Sequence, residues 1–199
     1  MAAVITSITG LQNLINLQNF NADWNALTTV NLSGLTNLIY VDISDNDKLD
    51  GSDDPTLTSV NLSGCVALQE LRLDDSDFSA GMPSLAGLTS LALIDFDQCN
   101  ISGIVDLTNL PALEELDFHT NEALTSIIIN DAQPIQYFYA SGCALTETAV
   151  DDILVVLRDN GMEDGDVELE GGTSASPSAI GDSAILALQA DGWTTTVNS

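Results

Sequence analysis

The side chains able to do chemistry in this 199-residue chain are one histidine, three cysteines and 30 carboxylates, set against only three fixed cations, Lys48, Arg72 and Arg158. Nucleophilic catalysis would need His119 within reach of a nucleophile and a third group to orient it. Asp97 and Ser141 fall one repeat to either side of His119, so neighbouring strands would hold them roughly 4.8 Å away. Nothing in the sequence supplies an oxyanion hole, and a flat sheet does not exclude water. Ser-Gly-Cys at 63–65 and 141–143 lacks the surroundings of a nucleophile elbow. There is no Gly-x-Gly-x-x-Gly or Gly-Lys-[Ser/Thr] segment to cradle phosphate. The expectation is a protein that is not an enzyme.

Cys65, Cys99 and Cys143 are odd in number and widely spaced, with no Cys-x-x-Cys, which argues against a disulfide framework and a zinc site. The carboxylates offer more. Asp45-Asn-Asp47, followed by Asp50-Gly-Ser-Asp53-Asp54, carries enough oxygen ligands for calcium. Asp45, Asp47, Asp50, Asp53 and Asp54 are therefore the candidate calcium ligands. Their spacing departs from the Asp-x-Asp-x-Asp-Gly pattern with a later Glu that helix-loop-helix calcium sites use.

The elements that must position these residues come from an internal repeat. The template has apolar residues at positions 1, 4, 7 and 9 and a small polar residue at 12. It is met by Leu14, Leu17, Phe20, Ala22, Asn25; by Leu35, Leu38, Val41, Ile43, Asn46; and by Cys65, Leu68, Leu71, Leu73, Ser76. It recurs as Leu88, Leu91, Ile94, Phe96, Cys99; as Leu110, Leu113, Leu116, Phe118, Asn121; and as Ala132, Ile135, Phe138, Ala140, Cys143. The period is 21 to 23 residues with one interval of 30, whose extra residues, 47–55, read as a surface loop. Alternation at positions 7 and 9 makes a short strand with one buried face. Asn, Cys or Ser at position 12 can bond the backbone as the chain leaves the strand, so Cys99 and Cys143 are expected in the core in place of Asn. One repeat cannot bury its own apolar face, so the repeats must stack.

This pattern resembles the leucine-rich-repeat family over about residues 8 to 145, and the resemblance implies a solenoid. Leu27-Thr-Thr-Val-Asn-Leu, Leu57-Thr-Ser-Val-Asn-Leu and Leu124-Thr-Ser-Ile-Ile-Ile recur on the return path, with Ile104-Val-Asp-Leu107 at the equivalent place. The convex side is therefore expected to hold short strands rather than long helices. The fold class is α/β but strand-dominated: a solenoid over 1–145 and a C-terminal helix–strand–helix–strand cap over 146–199. In the cap, residues 146–161 read as a helix started by Thr146 or Thr148 and ended by Gly161, with Val150, Ile153, Leu154 and Leu157 on one apolar face. Residues 167–170 read as a strand, 178–190 as a second helix closed by Gly192, and 193–197 as a last strand. Val150-Asp-Asp-Ile-Leu, Gly171-Gly-Thr-Ser and Gly192-Trp-Thr-Thr-Thr-Val resemble the tails of repeat proteins of bacteriophages and environmental bacteria. That likeness covers about a quarter of the chain.

Stacking sorts the sheet face into columns. One column holds Asn21, Asp42, Arg72, Asp95, Asp117 and Tyr139, and the next holds Asp23, Ser44, Asp74, Asp97, His119 and Ser141. Carboxylates at strand spacing repel unless they are hydrated, paired or bridged. Asp42, Asp74, Asp95, Asp97 and Asp117 are thus either a face for a cation or basic ligand, or a solvated face with raised carboxylate pKa values. Tyr40, Tyr137, Tyr139 and Trp24 are expected on this face towards its ends, as partner anchors or as covers for the stack.

The net charge of −27 disfavours nucleic acid and anionic membrane surfaces and favours cations or a basic protein, while also serving solubility in a salty medium. No stretch of ~20 apolar residues spans a membrane. Met1-Ala-Ala-Val-Ile-Thr-Ser has no basic n-region, so the expectation is folding in a cytoplasm, or a leader already removed. The resulting expectation is a non-enzymatic component of a virion exterior, such as a capsid decoration, head fibre or tail fibre, with capsid or tail proteins as partners and self-association open. The alternative is a secreted or surface-attached bacterial adhesion protein that contacts a host surface.

Overall fold

The structure is a computed structural model, and it describes residues 4–46 and 56–199. After a single 3-10 turn at Leu11–Asn13 come β1 (Asn19–Asn21), β2 (Thr29–Asn31), β3 (Tyr40–Asp42), β4 (Ser59–Asn61), β5 (Glu70–Arg72) and β6 (Leu93–Asp95). They are followed by β7 (Ser102–Asp106), β8 (Glu115–Asp117), β9 (Ala123–Ile128) and β10 (Tyr137–Tyr139). The tail contains α1 (Glu147–Asp159), β11 (Asp166–Glu168), α2 (Ala179–Ala190) and β12 (Thr194–Thr196). The result is a strand-dominated α/β protein built on a parallel eight-stranded sheet in the order β1-β3-β5-β6-β8-β10-β11-β12. Two separate parallel pairs, β2-β4 and β7-β9, form on the return path. No helix among the described residues is long and apolar enough to cross a membrane.

Each main-sheet strand is short because only its central residue faces inward. Phe20, Val41, Leu71, Ile94, Leu116, Phe138 and Val167 are all buried there. Two residues further on, the second inward position grows towards the middle of the sheet and shrinks again: Ala22, Ile43, Leu73, Phe96, Phe118 and Ala140, all buried. The Phe96 and Phe118 rings stack at 5.6 Å, and Phe78 meets Phe96 edge-on at 5.9 Å, so the bulk left open by one layer is filled by the next. Leu35, Leu38, Leu68, Leu91 and Leu113 are wholly buried beneath the strands, each contributing about 2 kcal/mol by leaving water.

Two positions depart from the repeat template. Leu14 is half exposed, because it lies in the terminal layer where no preceding layer covers it. Ala132 is exposed, and Gln133 is buried in its place. Gln133 Nε2 donates to Leu107 O and Leu110 O while its Oε1 accepts from Asn130 N, so an amide fills a gap that the methyl of Ala132 would leave unpaired. The return path lacks a strand between β4 and β7, where Gly81 and Pro83 interrupt the third layer.

At the exit of each strand the backbone turns through the left-handed region at Trp24, Asp45, Asp75, Gln98, Thr120 and Gly142. A Cβ at Gly142 would come within 3.3 Å of Thr120 Cα, so this layer takes glycine where the one before it takes threonine.

The tail continues the sheet. β11 pairs with β10 and β12 with β11, both in parallel. Thr146 Oγ1 accepts from Ala149 N to start α1, whose Val150, Ile153, Leu154 and Leu157 are buried as the apolar spacing requires. Ser178 caps α2 and also donates to Asp151 of α1, locking the two helices together. Gly192 leaves α2 with φ 88.

Candidate binding face

Register sets the side chains on the sheet surface into columns. Asn21 lies opposite Asp42, Asp42 opposite Arg72, Arg72 opposite Asp95, Asp95 opposite Asp117 and Asp117 opposite Tyr139. The same column runs on to Glu168 and Thr196 in the tail. A parallel column on the other side of the strand centres holds Tyr40, Glu70, Leu93, Glu115, Tyr137 and Asp166. Asp74, Asp97, His119 and Ser141 follow their strands by two residues and keep step through the bonds of Asp45 N to Asp74 O, Asp75 N to Asp97 O, Gln98 N to His119 O and Thr120 N to Ser141 O.

The predicted acidic residues do not form one cluster. Asp42 is buried and saturated: it accepts from Tyr40 Oη at 3.0 Å, from Asn21 Nδ2 at 3.1 Å and from Ser44 N at 3.2 Å. Arg72 separates it from the rest, bonding Glu70 at 2.7 Å and Asp95 at 3.4 Å. The open group is Asp74, Asp95 and Asp97. Burial, then the neighbouring charges of Asp95, Asp45 and Asp75, pushes the Asp74 carboxyl up to about 7. Burial and Asp117 hold Asp95 at about 6 against the lowering effect of Arg72 and of the backbone bond it accepts. Asp97 is also raised, by burial and by Asp117.

Asp117 faces His119. The imidazole Nδ1 lies 2.7 Å from Asp117 Oδ1, Nε2 lies 3.4 Å from Glu168 Oε2, and the ring stacks on Tyr139 at 5.7 Å. The bond to Asp117, opposed by burial and reinforced by Glu168 and Asp97, raises the imidazole to about 9. At neutral pH it is a cation tied to two carboxylates. The sequence placed Asp97 and Ser141 beside it in the column; the ring instead turns to Asp117 on its own strand and to Glu168 of the tail. Glu168 escaped the sequence reading because β11 lies beyond the repeat and takes its register from pairing with β10.

The aromatic residues divide as well. Tyr40 is bound to Asp42, and burial followed by that bond raises its hydroxyl. Tyr139 is stacked on His119, and burial with the charges of Asp166, Glu115 and Glu168 raises it to about 12. Tyr137 projects outward from β10. Trp24 lies beyond β1, on the left-handed turn at the rim of the sheet rather than on its face, and is 63% exposed.

Asp45 occupies the same rim, and its backbone N–H donates to Asp74 O. The other candidate calcium ligands, Asp47, Asp50, Asp53 and Asp54, lie outside the described residues. Among the described residues no three His, Cys, Asp or Glu side chains converge to hold a metal ion.

Behind the face runs a second column, buried from Asn46 onward. Asn46 Oδ1 accepts from Leu27 N, and its Nδ2 donates to Ala22 O, Ile43 O and Ser44 O. Asn121 repeats the pattern with Ile101 N, Phe96 O, Phe118 O and His119 O. Cys99 and Cys143 stand in for Asn with one bond each, Sγ donating to Leu73 O and Phe118 O. Burial raises both thiols, Cys143 to about 11, so neither is a thiolate near neutral pH.

The face is an acidic surface whose carboxylates are half-buried between the strands. Among the described residues, hollows lie at the strand-exit rim (Asp75, Gln98, Asn100, Thr120), on the return path around Met82, and at the first layer. A scan against protein-family models finds no match to this chain, and a search of curated proteins finds no relative.

Proposed function

We propose that this chain is a non-enzymatic binding protein of the leucine-rich-repeat type, a solenoid that docks its acidic sheet face on a basic protein surface as an exterior component of a bacteriophage virion. The observation that carries the reading is the crowding of Asp74, Asp95 and Asp97 from two adjacent columns, each raised in pKa by burial and by neighbouring carboxylates. A cationic partner side chain placed among them relieves that repulsion, so binding gains where the unbound face is strained. The only histidine is engaged by two carboxylates, which supports binding over catalysis. The repeat spacing supports the family, and the tail resemblance supports the virion.

The test is quantitative mass spectrometry of purified particles washed at increasing ionic strength. A fixed copy number per particle, released by salt, is the expected result, because exposed charge pairs are screened beyond a Debye length of roughly 8 Å at physiological salt. Absence from particles with enrichment in the cell envelope or medium would overturn the virion reading in favour of surface adhesion.

A further inference from the structure

Both ends of the eight-stranded sheet are unfinished, and in complementary ways. At the first layer, Leu14 is 50% exposed, whereas Leu35 and Cys65 at the same repeat position are 0% exposed. An open hollow of about 390 Å³ is lined by residues 13–17. At the last layer the inward position of β12 is held by Thr195, only partly covered, where Phe138 and Val167 are fully buried. The outer face of α2 exposes Ile180 and Leu186, the latter at 70%.

The backbone is complementary too. At each internal junction the flanking residues of a strand bond back to the preceding strand: Tyr40 N donates to Gln18 O, Glu70 N to Ile39 O and Thr194 N to Gly165 O. The central residue then points forward. β1 therefore presents the N–H and C=O groups of Asn19 and Asn21 to its open side, and β12 presents those of Thr195. Flanks facing a centre, both strands parallel, is the pattern of every junction inside the sheet.

Charge selects the ends. Of the 30 acidic residues, Asp23 alone lies in residues 1–41, and only Asp182 and Asp191 lie in 171–199. All the rest fall between Asp42 and Glu170. Side-by-side approach of two copies brings two strongly acidic flanks together, while end-to-end approach brings two nearly neutral, apolar surfaces together.

We propose that the two ends of the sheet are docking surfaces for each other, with β12 of one copy of this chain pairing in parallel with β1 of a second copy, so that copies add head to tail. The contact is heterologous and leaves one open end of each kind, so it propagates instead of stopping at a two-fold dimer. It draws on the two sheet edges alone and holds whatever the acidic face binds.

Sedimentation equilibrium of the full chain tests this. The weight-average mass is expected to climb with concentration in multiples of 20.9 kDa, and to climb further as salt screens the acidic middle. Leu14→Lys and Leu186→Lys, both at exposed positions, are each expected to be folded by circular dichroism and monomeric alone. Mixed together they are expected to give a species of twice the monomer mass and nothing larger, since each variant keeps one intact end. Wild-type protein that stays monomeric at every concentration and salt overturns the proposal. So does association of either variant by itself, or a mixture that fails to pair.

Discussion

Asn46 and Asn121 stand in one column across the strands, and Asp74 and Asp97 stand in another two residues before the turn. Neighbours in both columns are separated by the same strand spacing of roughly 4.8 Å. The amides of Asn46 and Asn121 are fully buried and fully bonded, each accepting one N–H and donating to three carbonyls. The carboxylate column is half exposed and holds protons that ordinary carboxylates lose near 4. Stacking thus stabilises a side chain that is both donor and acceptor, because each layer supplies the partners the next one needs. It penalises a side chain that is acceptor only, because each layer adds a like charge.

The contrast is broken most severely by Asn121→Ala. The change leaves the buried Ile101 N–H without its acceptor and Phe96 O without its donor, while Phe118 O keeps Cys143 Sγ and His119 O keeps Gln98 N, and should cost about 3 kcal/mol in urea unfolding. A loss under about 1 kcal/mol would mean that the amide column is dispensable.

The carboxylate column should show the opposite sign. Folded Asp74 and Asp95 hold their protons to about 7 and about 6, above the unfolded value, so the folded state binds protons more tightly and stability falls as pH rises from about 4 through 7. His119, raised to about 9, contributes stability that is complete below about 6.5 and lost as pH rises through 9. Both effects run the same way, so Tm should decline steadily from about pH 5 to pH 9 in calorimetry. A flat or rising profile would contradict the crowding.

Asp74→Asn sharpens the point. It should raise Tm by a few degrees at pH 8 and leave it nearly unchanged at pH 4, where the acid is already neutral. His119→Ala should cost about 1 kcal/mol at pH 7, because an ion-paired bridge from β8 to the tail is lost, and should cost nothing at pH 10. The smallest effect is expected at Ser76, the layer in which the amide column carries a hydroxyl with no protein partner among the described residues. Ser76→Ala should be neutral or slightly stabilising, since it removes a buried polar group without orphaning another.

Much of the sheet could be read from periodicity. Spacing by 22 or 23 residues, with the one interval of 30 between Val41 and Leu71, put Val41, Leu71, Ile94, Leu116 and Phe138 at equivalent inward points, and the register pairs them so. The column Asn21 to Tyr139 followed from the same count. A repeat fixes its own register because a slip of one residue would turn every apolar side chain to solvent. The start of α1 at Thr146 or Thr148 was legible for a local reason, since a hydroxyl that meets an unpaired helix N–H needs no distant partner, and Thr146 is the residue that caps it.

Three features were decided by the tertiary structure. Gln133 replaces Ala132 in the core because its amide bonds two carbonyls of the preceding layer and the N–H of Asn130, contacts that a spacing of apolar residues does not register. His119 binds Glu168 because α1 brings β11 alongside β10, a juxtaposition across 49 residues that no repeat encodes. Leu14 matches Leu35 in sequence yet half of it meets solvent, because burial belongs to a layer's neighbours and not to the layer itself. The sequence by itself determined the strand spacing, the inward positions and the buried Asn and Cys turns, since each depends on residues within one repeat. The proton-holding carboxylates, the histidine bridge and the two unfinished ends depend on what the adjoining layer places opposite them, and only the stacked structure decides that.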